Sequence, residues 1–345
     1  MTDQGASVGV IVIGRNEGER LKRCLRSLVG RAEVLVYVDS GSTDGSQAFA
    51  RSLGVEVVDL DMDRPFTMAR GRNAGLDYLL GRYGELDYVQ FVDGDCEVVE
   101  GWIELARRTL DDRPEAVAVC GHRREQHPED SIYNRLADQE WQGPVGEVNA
   151  CGGDVMVRTD AVRKIGGYRE SLIAGEDPEF CVRLRQQTGG TILRLDALMT
   201  RHDAAMMRFG QWWRRTVRGG HAFAEGTAMH GGRPERHKVR ELQRALFWGA
   251  ALPMAAVAGV LAAGFAHPVW LAVPGVIAAG YGVQVVRIYR GRRREGTPVR
   301  DAWLYAGFCL LGKVPEAIGA MKYALNRLRG RRSGLIEYKA AGQGG

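Results

Sequence analysis

A chain of 345 residues, 26% charged and 45% hydrophobic, has material for one large domain plus an appendage, and this mixture excludes a disordered chain, a collagen-like repeat or a simple coiled coil. Between Arg244 and Arg287 lie 42 residues without an Asp, Glu, Lys or Arg, a length that implies a membrane segment. From Arg287 onward 13 Lys/Arg face 4 Asp/Glu, while the preceding 286 residues hold 34 against 38, so the net +5 belongs to the tail and points to anionic lipid rather than nucleic acid.

Met1 to Ser7 is short and polar, with no basic-then-apolar signal, so the first domain is expected to stay in the cytoplasm. Val8 to Ile13 is an unbroken apolar run, and the spacing of Leu21, Cys24, Leu25 and Leu28 after it is helical. The alternation repeats: strands at Val34 to Val38, Val55 to Leu60, Tyr88 to Val92 and Ala116 to Cys120, and helices at Ser42 to Leu53, Met68 to Leu80 and Trp102 to Leu110. Strands separated by helices of this length imply right-handed crossovers and a mainly parallel sheet covered on both faces, which binds ligands at the carboxyl ends of its strands.

Those ends are acidic. The first strand delivers Asn16 and Glu17, the second Asp39-Ser40-Gly41-Ser42-Thr43-Asp44-Gly45, and the fourth Asp93-Gly94-Asp95. The second cluster reads equally well as turn chemistry. Asp93 and Asp95 would repel each other unless a cation lies near them, and hard divalent ions such as Mg²⁺ or Mn²⁺ prefer such oxygen ligands and bridge to phosphate, so a metal–diphosphate site is expected. Gly175-Glu176-Asp177 opens a helix, where acidic residues are often only dipole partners. Cys151-Gly152-Gly153-Asp154, before a strand at Val155 to Val157, fits either a pocket floor or a turn. His202, after a strand at Thr191 to Leu195, is either structural or a third metal ligand. The aromatic and guanidinium groups of Gln211-Trp212-Trp213-Arg214-Arg215 suit sugar and phosphate binding, and equally a membrane interface. The six cysteines form no CxxC pair and read as scattered thiols of a reducing compartment.

Taken together, Val10 to Glu17, Val38 to Gly45, Ala69-Arg70-Gly71-Arg72-Asn73-Ala74-Gly75, Asp93-Gly94-Asp95 and Gly175-Glu176-Asp177, in that order, resemble a family 2 glycosyltransferase of GT-A fold over roughly residues 8–225. The resemblance implies that Glu17 and Asp39 hold the nucleoside, with Asp44 in the same cluster and Arg70, Arg72 or Asn73 near the nucleotide. It makes Asp93 and Asp95 the metal-binding motif and Asp177, beside Glu176, the catalytic base. Ile13-Gly14-Arg15 stands where the family often has Pro-Thr-Tyr, and Ser40 replaces a frequent second Asp. Gln211, Trp212, Trp213 and Arg214 resemble part of the acceptor-side Gln-x-x-Arg-Trp motif of processive synthases, but Arg215 occupies the Trp position, so one sugar per encounter is expected.

The uncharged stretch divides at Ala266-His267-Pro268 into Ala245 to Phe265 and Val269 to Val286, each near the ~20 residues that cross a bilayer core. Lys238, Arg240 and Arg244 precede it and Arg287, Arg290, Arg292, Arg293 and Arg294 follow, so both ends are expected to be cytoplasmic. Ala302 to Tyr323, apolar but containing Lys313, Pro315 and Glu316, reads as an interfacial or re-entrant helix. The expected organisation is thus an α/β GT-A catalytic domain at 1–225, a linker at 226–244, a transmembrane helical hairpin at 245–289 and a basic interfacial helix and tail at 290–345, on the inner membrane with the catalytic domain in the cytoplasm. The expected partners are a nucleotide-diphosphate sugar, a lipid-linked saccharide acceptor of cell-surface polysaccharide synthesis and membrane lipids, without nucleic acid. Competing readings are transfer onto a polyprenyl phosphate, a processive synthase, a nucleotidyltransferase and a non-catalytic scaffold.

Overall fold

The computed structural model describes residues 6–84, 86–331 and 334; the tail beyond and most of the Met1 to Ser7 segment lie outside the described residues. The described residues divide into two compact units, one formed by those up to Pro128 with Glu140–Ala205, the other by Glu129–Gln139 with those from Met206 onward.

The first unit alternates strand and helix: β1 (Val8–Gly14), α1 (Glu19–Leu28), β2 (Val34–Asp39), α2 (Ser46–Ser52), β3 (Glu56–Asp59), α3 (Met68–Tyr83), β4 (Tyr88–Asp93), β5 (Cys96–Val98), α4 (Trp102–Asp112) and β6 (Ala116–Glu125). After α5 (Ile132–Trp141), most of which belongs to the second unit, come β7 (Gly146–Glu147), β8 (Val155–Arg158), α6 (Thr159–Lys164), α7 (Glu176–Thr188) and β9 (Thr191–His202). The sheet runs β3-β2-β1-β4-β8-β6-β9-β5, with β7 on β9. Its first four strands are parallel, as their uninterrupted apolar runs require of strands covered on both faces. β8 enters antiparallel between β4 and β6, which makes the sheet mixed, and β6 lies parallel to β9.

Chain order reverses direction at β1, which has β2 on one side and β4 on the other, so a crevice opens at the carboxyl ends of these strands. Register levels those ends: Gly14 faces Asp39 and Ile13 faces Asp93. Leu21, Cys24, Leu25 and Leu28 of α1 are buried, as their spacing demands. α3 approaches the sheet through Gly75, where a Cβ would lie 2.5 Å from Ile11 Cγ2 and 2.9 Å from Val38 Cγ2. α7 is pinned by Phe180, whose ring stacks on Tyr168 at 4.1 Å while Phe91 of β4 meets Tyr168 edge-on at 5.2 Å. Such pairs are worth about 0.5–1.5 kcal/mol each beyond area burial. They set the start of α7 against the end of β4.

The second unit is helical: α8 (Phe209–His230), α9 (Val239–Leu246), a π-helical turn at Phe247–Ala251, α10 (Leu252–Phe265), a 3₁₀ turn at Pro268–Leu271, α11 (Ala272–Arg294), α12 (Val299–Leu311) and α13 (Lys313–Leu328). Two apolar helical stretches, Val239–Phe265 and Pro268–Arg294, are long and apolar enough to cross a membrane, with mean hydropathy 1.9 and 1.7. Each is 27 residues, about 40 Å at ~1.5 Å per residue, against a hydrocarbon core of about 30 Å. Exposed Met254, Val257, Phe265, Val276 and Val283 leave an apolar surface that water would not favour.

Helix α8 lies within the second compact unit, which resumes at Met206. α8 continues to His230 and α9 starts at Val239. The single helix expected over Ala302 to Tyr323 is two, separated at Gly312, with Pro315 in the first turn of α13, where a missing N–H is tolerated. Gly220 of α8 lies against the Glu316 backbone and Gly319 of α13 against the Val217 backbone; these helices meet through bare backbone, and a Cβ at either position would clash. Cys24, Cys96, Cys120, Cys151 and Cys181 are buried and Cys309 half-buried, all as free thiols.

Candidate active site

The first strand's loop is built by side chains capping backbone. Asn16, at φ +53°, accepts from Thr43 N at 2.7 Å, and its own N–H donates to Ser42 Oγ at 2.9 Å. Glu17 pairs with Arg20 at 2.8 Å. Asp39 is fully buried and accepts from Tyr37 Oη, Gly41 N, Ser42 N and Gln47 Nε2 between 2.7 and 3.0 Å. Burial alone would raise its pKa, but the bonds from Ser42, Tyr37 and Gln47 outweigh it and hold the carboxylate below its ordinary range. Asp44 accepts from Gly18 N and from Ser46 N and Oγ. Both aspartates therefore build the rim of the crevice through turn chemistry.

Arg70 and Asn73 do similar structural work. The Arg70 guanidinium donates to the carbonyls of Asp61, Arg64 and Pro65 at 2.8–2.9 Å, fixing the loop before α3. Asn73 donates to Tyr168 O and accepts from Tyr168 N. Neither reaches the Asp93 cluster in the contacts described.

Arg72 does. Almost fully buried, it donates to Asp93 Oδ1 at 2.7 Å and lies 3.4 Å from Glu176 Oε1 and 3.3 Å from Asp177 Oδ1, with its cation 5.2 Å over the Tyr168 ring. One guanidinium thus joins the tip of β4 to the first turn of α7. The chain enters that helix through Gly175 at φ +78°. Burial pushes the Asp177 carboxyl up to about 7, against the opposing attraction of Arg72.

The expected repulsion between Asp93 and Asp95 is resolved by cations of the protein. Arg123 lies 3.3 Å from Asp93 Oδ2 and 2.7 Å from Asp154 Oδ2. Asp154, fully buried, also accepts from Asp93 N at 2.9 Å and Thr200 Oγ1 at 2.8 Å. Asp95 faces His202, Oδ2 to Nε2 at 3.1 Å, and Glu125 Oε2 is 3.7 Å from His202 Nδ1. Burial opposes the charged imidazole, but the attraction of Asp95, its hydrogen bond to the ring and the nearby Glu125 carboxylate dominate and raise the His202 pKa. The Trp141 ring stands edge-on to His202 at 4.5 Å.

Asp95, Cys96 and His202 present ligand atoms all within 4.8 Å of one another, as do Asp93, Cys96 and Asp154. Asp95 and His202 supply an oxygen and a nitrogen suited to a divalent ion of Mn²⁺ type, whereas both Asp93 oxygens already meet arginines. In the second unit, Gln211 Oε1 caps its own helix by accepting from Met207 N and Arg208 N. Trp212 is enclosed, its ring edge-on to Phe308 at 4.9 Å, so it offers no open stacking face; Trp213 and Arg214 are half-buried.

Residues 9–164 match the family described as glycosyl transferase family 2. The chain is similar to several curated proteins: 33% identity over 133 residues to a TPR repeat-containing protein of Synechococcus elongatus (38% of this chain, 31% of that one), 26% over 153 residues to the glucosyl-dolichyl phosphate glucuronosyltransferase of Haloferax volcanii (39% and 49%), and 24% over 212 residues to the pre-mycofactocin glycosyltransferase of Mycobacterium tuberculosis (57% and 42%). The matches span about a third to a half of these relatives' own lengths. In fold the chain is similar to the mannosyltransferase PcManGT from Pyrobaculum calidifontis, solved with GDP-Man and Mn²⁺: TM-score 0.60 at 20% identity, covering 94% of this chain and 88% of that one.

Arg123, Glu125 and Cys96 are the site residues that sequence reasoning missed. The first two lie where β6 outruns its apolar part: the run ends at Cys120, but pairing with β9 carries the strand on to Glu125. A run of consecutive charged residues, Arg123-Arg124-Glu125, after an apolar strand is the signal, and it becomes meaningful once Asp93, Asp154 and His202 are known to face it.

Proposed function

We propose that this protein is an inverting glycosyltransferase that moves one sugar from a nucleoside diphosphate sugar to a hydroxyl of a lipid-linked saccharide at the cytoplasmic face of a membrane. The observation that carries the reading is Arg72, which couples Asp93 of the diphosphate end to Asp177 at the acceptor end of one crevice. A divalent ion, Mg²⁺ or Mn²⁺, would be held by Asp95 and His202 with Asp93 nearby. When bound, it would supply Lewis-acid stabilisation of the departing diphosphate.

An acceptor hydroxyl attacks poorly until its proton is taken, and a base works best when its pKa lies near the working pH. Asp177, pushed up to about 7, meets that condition. Its carboxylate accepts the proton as the hydroxyl attacks the anomeric carbon from the face opposite the diphosphate. Arg72 keeps Asp177 ionisable by offsetting part of the cost of burial, and it also orients Glu176. Glu17, Asp39 and Asp44 shape the rim on which the nucleoside rests. The Haloferax relative is named for a dolichyl phosphate-linked sugar, which supports a lipid-linked acceptor. The two apolar helices, with Lys238, Arg240 and Arg244 before them and the arginines from Arg287 to Arg294 after them, support a hairpin with both ends cytoplasmic. Exopolysaccharide assembly is the corresponding role.

The test is thermal unfolding of the full chain in detergent with UDP, GDP and their sugars, with and without Mn²⁺. A ligand at about 100 times its Kd adds about 2.7 kcal/mol. A nucleotide should stabilise only with metal, and Asp95→Asn should abolish that gain. Equal stabilisation without metal, or none by any nucleotide, would overturn the reading.

A further inference from the structure

The residue after the acidic motif is a cysteine, and the fold turns it toward the same ligands. Cys96 opens β5, which pairs antiparallel with β9 so that Cys96 stands directly opposite His202. Directly opposed residues of an antiparallel pair share one face of the sheet, with Cβ atoms about 4.5–5.5 Å apart. The Cys96 Sγ lies 3.8 Å from Asp95 Oδ1, while Oδ2 of the same carboxylate lies 3.1 Å from His202 Nε2. A tetrahedral zinc with bonds of about 2.0–2.3 Å spans its N···O edge at roughly 3.4 Å and its S···O edge at roughly 3.6 Å. The N···O separation is within a few tenths of an ångström of its edge, and the ligand atoms of Asp95, Cys96 and His202 all lie within 4.8 Å of one another. A second pointer to a ligand is His202 Nδ1, which lies within a 95%-buried residue, makes no hydrogen bond and has Glu125 Oε2 at 3.7 Å, an outer carboxylate of the kind that orients a metal-bound imidazole.

We infer that Asp95, Cys96 and His202 form a mixed oxygen–sulfur–nitrogen site that prefers thiophilic divalent ions, so that Zn²⁺ or Cd²⁺ binds there through the Cys96 sulfur and excludes Mn²⁺. The inference rests on the proposed metal position but adds a ligand and a selectivity to it. Hard ions gain little from a thiol, whereas zinc and its heavier congener gain a strong bond to sulfur. On binding, the metal–sulfur bond replaces the S–H bond and the proton leaves to solvent; no electron changes hands. The consequence is inhibition by the softer metal of an enzyme whose chemistry runs on the harder one. The thiol is buried, so ordinary alkylating reagents do not reach it.

The test uses the full chain in detergent and the metals alone. X-ray absorption of the protein loaded with one equivalent of Zn²⁺ should show one sulfur at about 2.3 Å among nitrogen and oxygen ligands. Cd²⁺ should produce a thiolate-to-metal charge-transfer band that Cys96→Ser removes. By calorimetry, Cys96→Ser should weaken Zn²⁺ by at least about tenfold, the lower end of what even an outer-shell partner is worth, and leave Mn²⁺ unchanged. A zinc shell of nitrogen and oxygen only, or a band that survives Cys96→Ser, would overturn the inference while Mn²⁺ binding still upheld the proposed function. If the wild type binds Zn²⁺ with one sulfur but no Mn²⁺ at all, the proposed function fails and the soft site stands.

Discussion

Replacing Asp177 by Asn should cost activity and increase stability, and both effects have the same origin. Its carboxyl is raised from 3.8 to about 7, chiefly by burial. A carboxyl raised on folding holds its proton in the native state after the unfolded chain has released it. Folding stability therefore falls as pH rises from about 4 through about 7, and the whole penalty is present above that window. At about 1.36 kcal/mol for each pH unit, the penalty is about 4 kcal/mol at pH 8. Asn is neutral, nearly the same shape, and still offers Arg72 an oxygen, while Arg72 retains Asp93 and Glu176. Denaturant unfolding of the full chain in detergent should thus find Asp177→Asn more stable than wild type by a few kcal/mol at pH 8 and nearly equal at pH 4. Its transfer rate should fall about 10²–10⁴-fold, the usual worth of a positioned base. A variant less stable than wild type at pH 8, or one retaining more than about a tenth of the rate, would refute the reasoning.

The wild-type kcat/KM should rise with pH through an acid limb near 7, because the base works only when ionised; a flat profile from pH 5 to 8 would remove Asp177 from that role. Arg72→Met should lower stability by about 3–5 kcal/mol, since it leaves buried carboxylates without their cation, and should move the acid limb to higher pH; thermal unfolding and a pH–rate series read the two effects. Gly75→Ala should destabilise by about 1–3 kcal/mol despite better helix propensity, because the added methyl meets Ile11 and Val38; an unchanged denaturation midpoint would mean that α3 lifts freely from the sheet.

The parallel half of the sheet was legible because each strand is an unbroken apolar run and each helix repeats its apolar residues at helical spacing. The division at Ala205 was not. It depends on α8 meeting α13 through Gly220 and Gly319, and glycine carries no hydropathic period. Within the site, Asp93, Asp95, Asp177 and His202 stood out as polar residues at the ends of apolar elements. Asp39, Asp44 and Arg70 stood out equally, yet their described bonds go largely to neighbouring backbone, because the residue types that make a turn also make a ligand. Arg123 was hidden for the opposite reason: it belongs to a strand interior, where a charge is tolerated only because Asp154 and Asp93 meet it. Trp212 illustrates the ambiguity of aromatic residues, since an indole that could stack on a sugar instead fills a helical core.

The most direct test is to incubate the purified full chain in detergent with a nucleotide sugar, Mn²⁺ and a lipid-linked saccharide, and to identify the released nucleotide. The account predicts nucleoside diphosphate, formed with inversion at the anomeric carbon and lost both in Asp95→Asn and on chelation. Release of pyrophosphate, as from a nucleotidyltransferase, or undiminished transfer in chelator, would contradict it.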